Sequence, residues 1–105
     1  MEVIYWNEKV ERFITDLDDE TAVRVDRTIE VLERVGHLIT MPDSKSLGKG
    51  LFELRIQGKK QVRILYIFKN NKAYVIHGFI KKTGKIRSGD MEYSRRIQRE
   101  VLRLA

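Results

Sequence analysis

Apolar and polar positions change period several times along the chain, and each change marks an element. Glu2–Trp6 (EVIYW) is dense in β-branched and aromatic residues and predicts a short first strand. Asn7 follows as a helix N-cap with Glu8 in the first turn, and Val10, Phe13, Ile14 and Leu17 recur at helical spacing. Asp18-Asp19-Glu20 restarts the chain as a second helix, striped by Ala22, Val25, Ile29, Leu32 and Val35 and closed by Gly36. Residues 37–50 hold the only proline and read as a loop.

Three strand signals follow, over 51–57, 61–68 and 72–79. In the first, Phe52, Leu54 and Ile56 alternate with Glu53, Arg55 and Gln57, so one face is buried and the other polar. The second is continuously apolar, as a central strand should be, apart from Arg63. Gly58-Lys59-Lys60 and Asn70-Asn71 are short enough to make two antiparallel hairpins. After a lysine-rich connection over 80–87, Ser88 is placed to cap a last helix, acidic at its start (Asp90, Glu92) and basic towards its end. The expected order is β-α-α-β-β-β-α. This is an α+β fold, a helical hairpin packed on a small, mainly antiparallel sheet, in a single domain over residues 1–105.

Composition agrees with a folded chain: 42% of the 105 residues are hydrophobic and 34% charged, with no cysteine. Disulfides and thiolate metal sites are thereby excluded. No basic segment followed by a long apolar stretch opens the chain, and the longest apolar run, residues 64–68, is far too short to span a bilayer. The expectation is a cytoplasmic protein without a membrane partner. The net charge of +6 conceals an asymmetry. Residues 1–43 carry eleven acidic and five basic side chains, whereas residues 44–105 carry sixteen basic and four acidic. Such a split suggests that one side of the molecule meets a polyanion, and RNA is the natural candidate.

Few residues offer metal or cofactor chemistry. The two histidines, His37 and His77, lie in different elements, and helix capping accounts for the Asp18-Asp19-Glu20 cluster, so no metal and no cofactor are expected. Leu47-Gly48-Lys49-Gly50 lacks the spacing and the following Ser/Thr of a P-loop. What remains is a basic set in the back half: Arg55, Arg63, His77, Lys81, Lys82, Lys85, Arg87 and Tyr93, with Lys49, Lys59 and Lys60 as further RNA contacts. A three-residue loop over 58–60 sets Arg55 directly opposite Arg63, a repulsive pairing unless an anion lies between them. A two-residue loop sets Arg63 opposite Leu54 instead. His77 carries the same ambiguity: a two-residue Asn70-Asn71 turn puts it on the face opposite Arg63, and a three-residue loop pairs the two.

The segments 47–56 (LGKGLFELRI), 62–68 (VRILYIF) and 76–83 (IHGFIKKT) closely resemble the RelE/HigB-type toxins of the RelE/ParE superfamily, nearest to the phage-derived, host-growth-inhibition subgroup. The resemblance runs over nearly the whole chain. It implies a RelE-like fold and a toxin of a type II toxin–antitoxin system. Such a toxin is an endoribonuclease that cuts mRNA on the ribosome and is silenced by an antitoxin, often one with a helix-turn-helix domain. By position, Arg55 and Arg63 match the basic strand residues that hold the scissile phosphate. Lys81 or Lys82 matches a basic position after the last strand, and Tyr93 lies near a tyrosine that some members place early in the last helix. Glu53 departs from the pattern, standing where some relatives carry a lysine.

RNA brings its own nucleophile, the 2′-OH, so its cleavage needs charge stabilisation at phosphorus together with proton removal and delivery. Arg55 and Arg63 are expected to clamp phosphate oxygens, Lys81 or Lys82 to neutralise developing charge, and Tyr93 to stack on a base or orient the 2′-OH. His77 is the first candidate for proton transfer, because its ordinary pKa lies nearest neutrality. Three other functions compete: a gyrase-directed relative, a decayed toxin that only binds its antitoxin, and a plain RNA-binding module.

Overall fold

A computed structural model describes residues 1–105. The elements are β1 (Glu2–Tyr5), α1 (Glu8–Thr15), α2 (Asp19–Val35), a 3₁₀ turn (Gly36–Leu38), β2 (Ser44–Gly48), β3 (Leu51–Ile56), β4 (Val62–Lys69), β5 (Lys72–Ile80) and α3 (Ser88–Leu104). Five strands form one sheet in the order β1-β5-β4-β3-β2, with β1 parallel to β5 and every other pair antiparallel.

The caps expected for the first two helices are present. Asn7 accepts the Val10 amide at 3.0 Å, Asp18 accepts the amide and hydroxyl of Thr21, and Gly36 ends α2 at φ +56°. Two expectations are corrected. Residues 37–50 are not all loop, because Ser44–Gly48 pairs with β3 as an edge strand and makes the order β-α-α-β-β-β-β-α. Ser88 does not cap α3. Arg87 holds the cap position with no side-chain bond, and Ser88 is already helical.

Alternation along the strands divides the interior in two. Leu54, Ile56, Val62, Ile64, Tyr66, Ala73 and Val75 face α1 and α2, where they meet Val10, Val25, Ile29 and Leu32. Leu51, Leu65, Ile67, Tyr74 and Ile76 face α3 and meet Ile97 and Val101. The sheet is thus covered on both sides, by the hairpin on one and by α3 on the other. Trp6 helps to fasten α3, since its indole N–H donates to Glu100 at 3.0 Å. Lys69 holds the same C-terminal end of that helix by donating to the carbonyls of Leu102 and Val101, where the dipole favours a cation.

Both open registers are resolved. Arg55 pairs with Arg63, so the β3–β4 connection has the three-residue form. Asn70 and Asn71 form a two-residue turn between Lys69 and Lys72, both at positive φ (54° and 60°), as a type I′ hairpin requires. On alternation alone that turn would send His77 to the hairpin side. A β-bulge intervenes: Leu65 pairs with His77 and Tyr66 with Val75, which leaves Ile76 as the extra residue. The bulge turns His77 back to the face that carries Arg55 and Arg63.

Candidate nucleic-acid site

At the end of β3 and β4 nearest the Lys59-Lys60 loop, the α3 face of the sheet changes from apolar to charged. Arg55 and Arg63 stand side by side across the two strands, and Glu53 lies on the same face one step along β3. The Glu53 carboxylate is between the guanidiniums, with Oε1 at 3.7 Å from Arg55 Nε and Oε2 at 4.0 Å from Arg63 Nε. These are ion-pair separations too long for hydrogen bonds. Glu53 Oε2, Arg55 Nε and Arg63 Nε are all buried without a hydrogen-bond partner.

Exposure separates the two arginines. The Arg63 side chain is 4% exposed and donates to the Val62 carbonyl, whereas that of Arg55 is 22% exposed and reaches the surface. Burial lowers the pKa of Arg63, Glu53 opposes that shift, and Arg55 adds to it. Arginine remains charged through such a shift. An incoming anion therefore meets Arg55 first, with Arg63 behind it as a fixed positive charge.

Beside this pair, His77 Nε2 lies 2.8 Å from Asp90 Oδ1, and its ring packs 4.8 Å from that of Tyr93 and 5.6 Å from that of Phe79. Burial lowers the His77 pKa, while the hydrogen bond to Asp90 and its charge push the other way and Lys9 adds to the lowering. The imidazole is thus neutral near pH 7. Since an ionised carboxylate only accepts, Nε2 carries the proton and Nδ1 keeps the lone pair. Tyr93 is held from both sides. Its hydroxyl accepts from Asn7 Nδ2 at 3.4 Å, and Lys9 Nζ sits 3.9 Å from the ring centroid.

A profile of the family described as Phage derived protein Gp49-like (DUF891) matches residues 12–99 of the chain. The protein belongs to that family. The Gp49-like family is associated with toxins of toxin–antitoxin systems. No curated protein matches the chain significantly.

The basic residues of this Gp49-like protein part company around that cluster. Lys81, Lys82, Lys85 and Arg87 line a narrow notch with Phe79 and Asp90, and the Lys81 amide bonds to the Gln61 carbonyl at 2.7 Å. They therefore ring the same end of the sheet as Arg55 and Arg63. Lys49 does not. It lies in the β2–β3 turn, six positions and about 20 Å of strand from Arg55. There its carbonyl accepts from Gln98 at 2.8 Å.

Lys59 and Lys60 are at the right end but bonded inward, to Asp18 at 3.2 and 3.0 Å, with Glu20 3.8 Å from Lys59. Hydrogen bonds from Thr21, and then Lys60, hold the Asp18 carboxyl well below the usual carboxylate range. The acidic turn before α2 is thus a counterpart for these lysines as well as a cap. Asp90 and the central position of Glu53 did not emerge from the sequence as site features. Asp90 served there only as a first-turn acid, and no local signal links it to a histidine thirteen residues earlier. No three His, Asp or Glu side chains gather closely enough to hold a metal ion. No helix is long and apolar enough to cross a membrane.

Proposed function

We propose that this Gp49-like protein is the toxin of a type II toxin–antitoxin pair. It acts as an mRNA endonuclease on the ribosome, in the manner of RelE/HigB-type toxins, and is held silent by a cognate antitoxin with a helix-turn-helix domain. The observation that carries the reading is the β5 bulge. It gathers His77, Asp90 and Tyr93 on the face where Arg55 and Arg63 stand with unbonded Nε donors.

In the reaction, His77 Nδ1 takes the proton of the 2′-OH while Asp90 fixes the tautomer. The 2′-oxygen bonds to phosphorus and the bond to the 5′-oxygen breaks. Arg55 carries the developing charge on the phosphate, backed by Arg63. Tyr93 orients the nucleotide by stacking, and Lys82, exposed at the mouth of the notch, gives its ammonium proton to the departing 5′-oxygen and takes one back from water. The products are a 2′,3′-cyclic phosphate and a 5′-hydroxyl. Association with the ribosome supplies distortion of the mRNA that a cluster with no strong general base needs.

Primer extension on mRNA from a cell-free translation reaction tests this reading. The expected result is discrete cuts in the presence of the purified protein that vanish when ribosomes are withheld and when Arg55 or His77 is replaced by alanine. A 5′-phosphate on the downstream product would sink the mechanism. A second reading, a non-catalytic antitoxin-binding relative, draws support from Glu53, which already occupies the space between the two arginines. It predicts intact mRNA, and growth inhibition indifferent to charge reversal at Arg55.

A further inference from the structure

A concavity beside Arg55 lies between α2 and the end of β3, and the charged residues that line it come partly from the acidic half of the chain. Arg24, Arg27 and Thr28 of α2 face Asp43, Arg55 and Gln57 across a groove of about 360 Å³. Residues 24, 27 and 28 follow the i, i+3, i+4 spacing that aligns side chains on one helix face.

Neither Arg24 nor Arg27 forms an ion pair, although α2 is rich in carboxylates. Arg24 makes one hydrogen bond, to the Gln57 carbonyl at 3.3 Å, which fixes its direction without neutralising it. Its stem and Nε lie against Gly58, where a Cβ would come within 2.8 Å. The missing side chain at Gly58 is what lets Arg24 lie down into the groove. Asp43 is the only acid on the lining, against three guanidiniums.

Arg55 belongs both to this groove and to the Glu53–Arg63 cluster, so the two are continuous. We infer that the groove carries the RNA strand away from the scissile position, with Arg24 and Arg27 each holding a phosphate next to the one at Arg55. This rests on the RNA-cutting reading and adds to it a direction for the strand: over α2, on the side opposite the notch lined by Lys82 and Arg87.

The test is the binding of a single-stranded, 2′-O-methylated oligoribonucleotide, which cannot be cut, followed by fluorescence anisotropy over a salt series. Its subjects are the wild-type chain, Arg24→Ala/Arg27→Ala, and Arg99→Ala/Arg103→Ala, an equal charge change on the exposed side of α3. Loss of two single-strand phosphate contacts lowers the slope of log K against log salt by about 1.4. Read from a 1 M reference state, that is roughly 25-fold weaker binding at about 0.1 M salt. The proposal expects this change in the α2 variant, little in the α3 variant, and equal thermal midpoints for all three.

Equal losses in the two variants would show diffuse attraction and overturn the groove. An unchanged α2 variant would also overturn it, leaving the arginines to an acidic peptide. If the wild-type chain binds no RNA at any salt, the nuclease reading falls with the groove. If it binds RNA and cuts mRNA while the α2 variant does both equally well, the groove falls alone.

Discussion

On the side of the sheet that α1 and α2 cover, the central strands point apolar side chains inward, and the one hydroxyl among them, on Tyr66, is satisfied by Ser44 Oγ at 2.5 Å. On the α3 side the same strands bury Glu53, Arg63 and His77. There Glu53 Oε2, Arg55 Nε and Arg63 Nε make no hydrogen bond at all. A buried polar atom left without a partner costs about 1–3 kcal/mol. One face is therefore arranged for stability, while the other keeps unspent bonding capacity that a ligand can use. The difference locates a site more sharply than net charge does, because Lys59 and Lys60 lie at the same end of the sheet yet are already paired with Asp18.

The comparison breaks most readily in the two interiors. Leu32→Ala, at a fully buried position against the hairpin side of the sheet, is expected to lose about 2–5 kcal/mol in urea denaturation. Glu53→Leu combined with Arg63→Met should move the other way. Apolar replacement of a buried ion pair is commonly neutral or stabilising by about 1–4 kcal/mol. Cleavage of mRNA should be lost with it. A midpoint for the double variant as low as that of Leu32→Ala would show that the charged cluster supports the fold as much as the apolar core does.

Gly78→Ala probes the closest approach between the sheet and α1. An added Cβ would stand 2.5 Å from Phe13 Cδ2, so the ring must shift, at a cost of about 1–3 kcal/mol in the same denaturation experiment.

A smaller effect sharpens the contrast through pH. Burial holds the folded pKa of His77 below its ordinary 6.5, despite Asp90. As pH falls through that ordinary value, the unfolded chain takes up the proton before the folded chain does. Stability from this group is thus present above about pH 6.5 and declines on acidification, until the folded-state value is passed. His77→Gln should flatten that part of the curve of urea midpoint against pH, and an identical slope in both proteins would contradict the neutral, buried imidazole. Smallest of all, Lys59→Ala with Lys60→Ala breaks only exposed ion pairs, so the urea midpoint should barely move. The variant should cut mRNA as well as the wild type.

Much of this arrangement was legible in the residue pattern. The helical stripes, the Asn7 and Asp18 caps, the alternation of β3 and the Asn-Asn turn are local signals, and each appears where it was expected. The misses are of a different kind. The edge strand Ser44–Gly48 (SKSLG) has no β-branched or aromatic run, and only its pairing with β3 makes it a strand. The bulge at Ile76 leaves no mark in a stretch that is apolar on both sides of it, yet it decides which face His77 joins. The Asp90 contact and the inward bonding of Lys59 and Lys60 are tertiary pairings between segments that spacing along the chain does not connect. Charge summed over halves of the chain also concealed Arg24 and Arg27, two cations of the acidic half that turn towards the basic end.

The first strand of the chain, β1, pairs in parallel with β5, so Glu2 meets Lys72 and Tyr5 meets Val75. Parallel pairings over such a separation are slow to form, because a long loop must close before any contact rewards it. The charged cluster is assembled later still in chain order, from β3, β4 and β5 and then from Asp90 and Tyr93 of the last helix. Pairing of β4 with β5 and docking of α3 must therefore both be complete before the cluster exists. Its charged groups, drawn from four elements, face one another only in the finished fold.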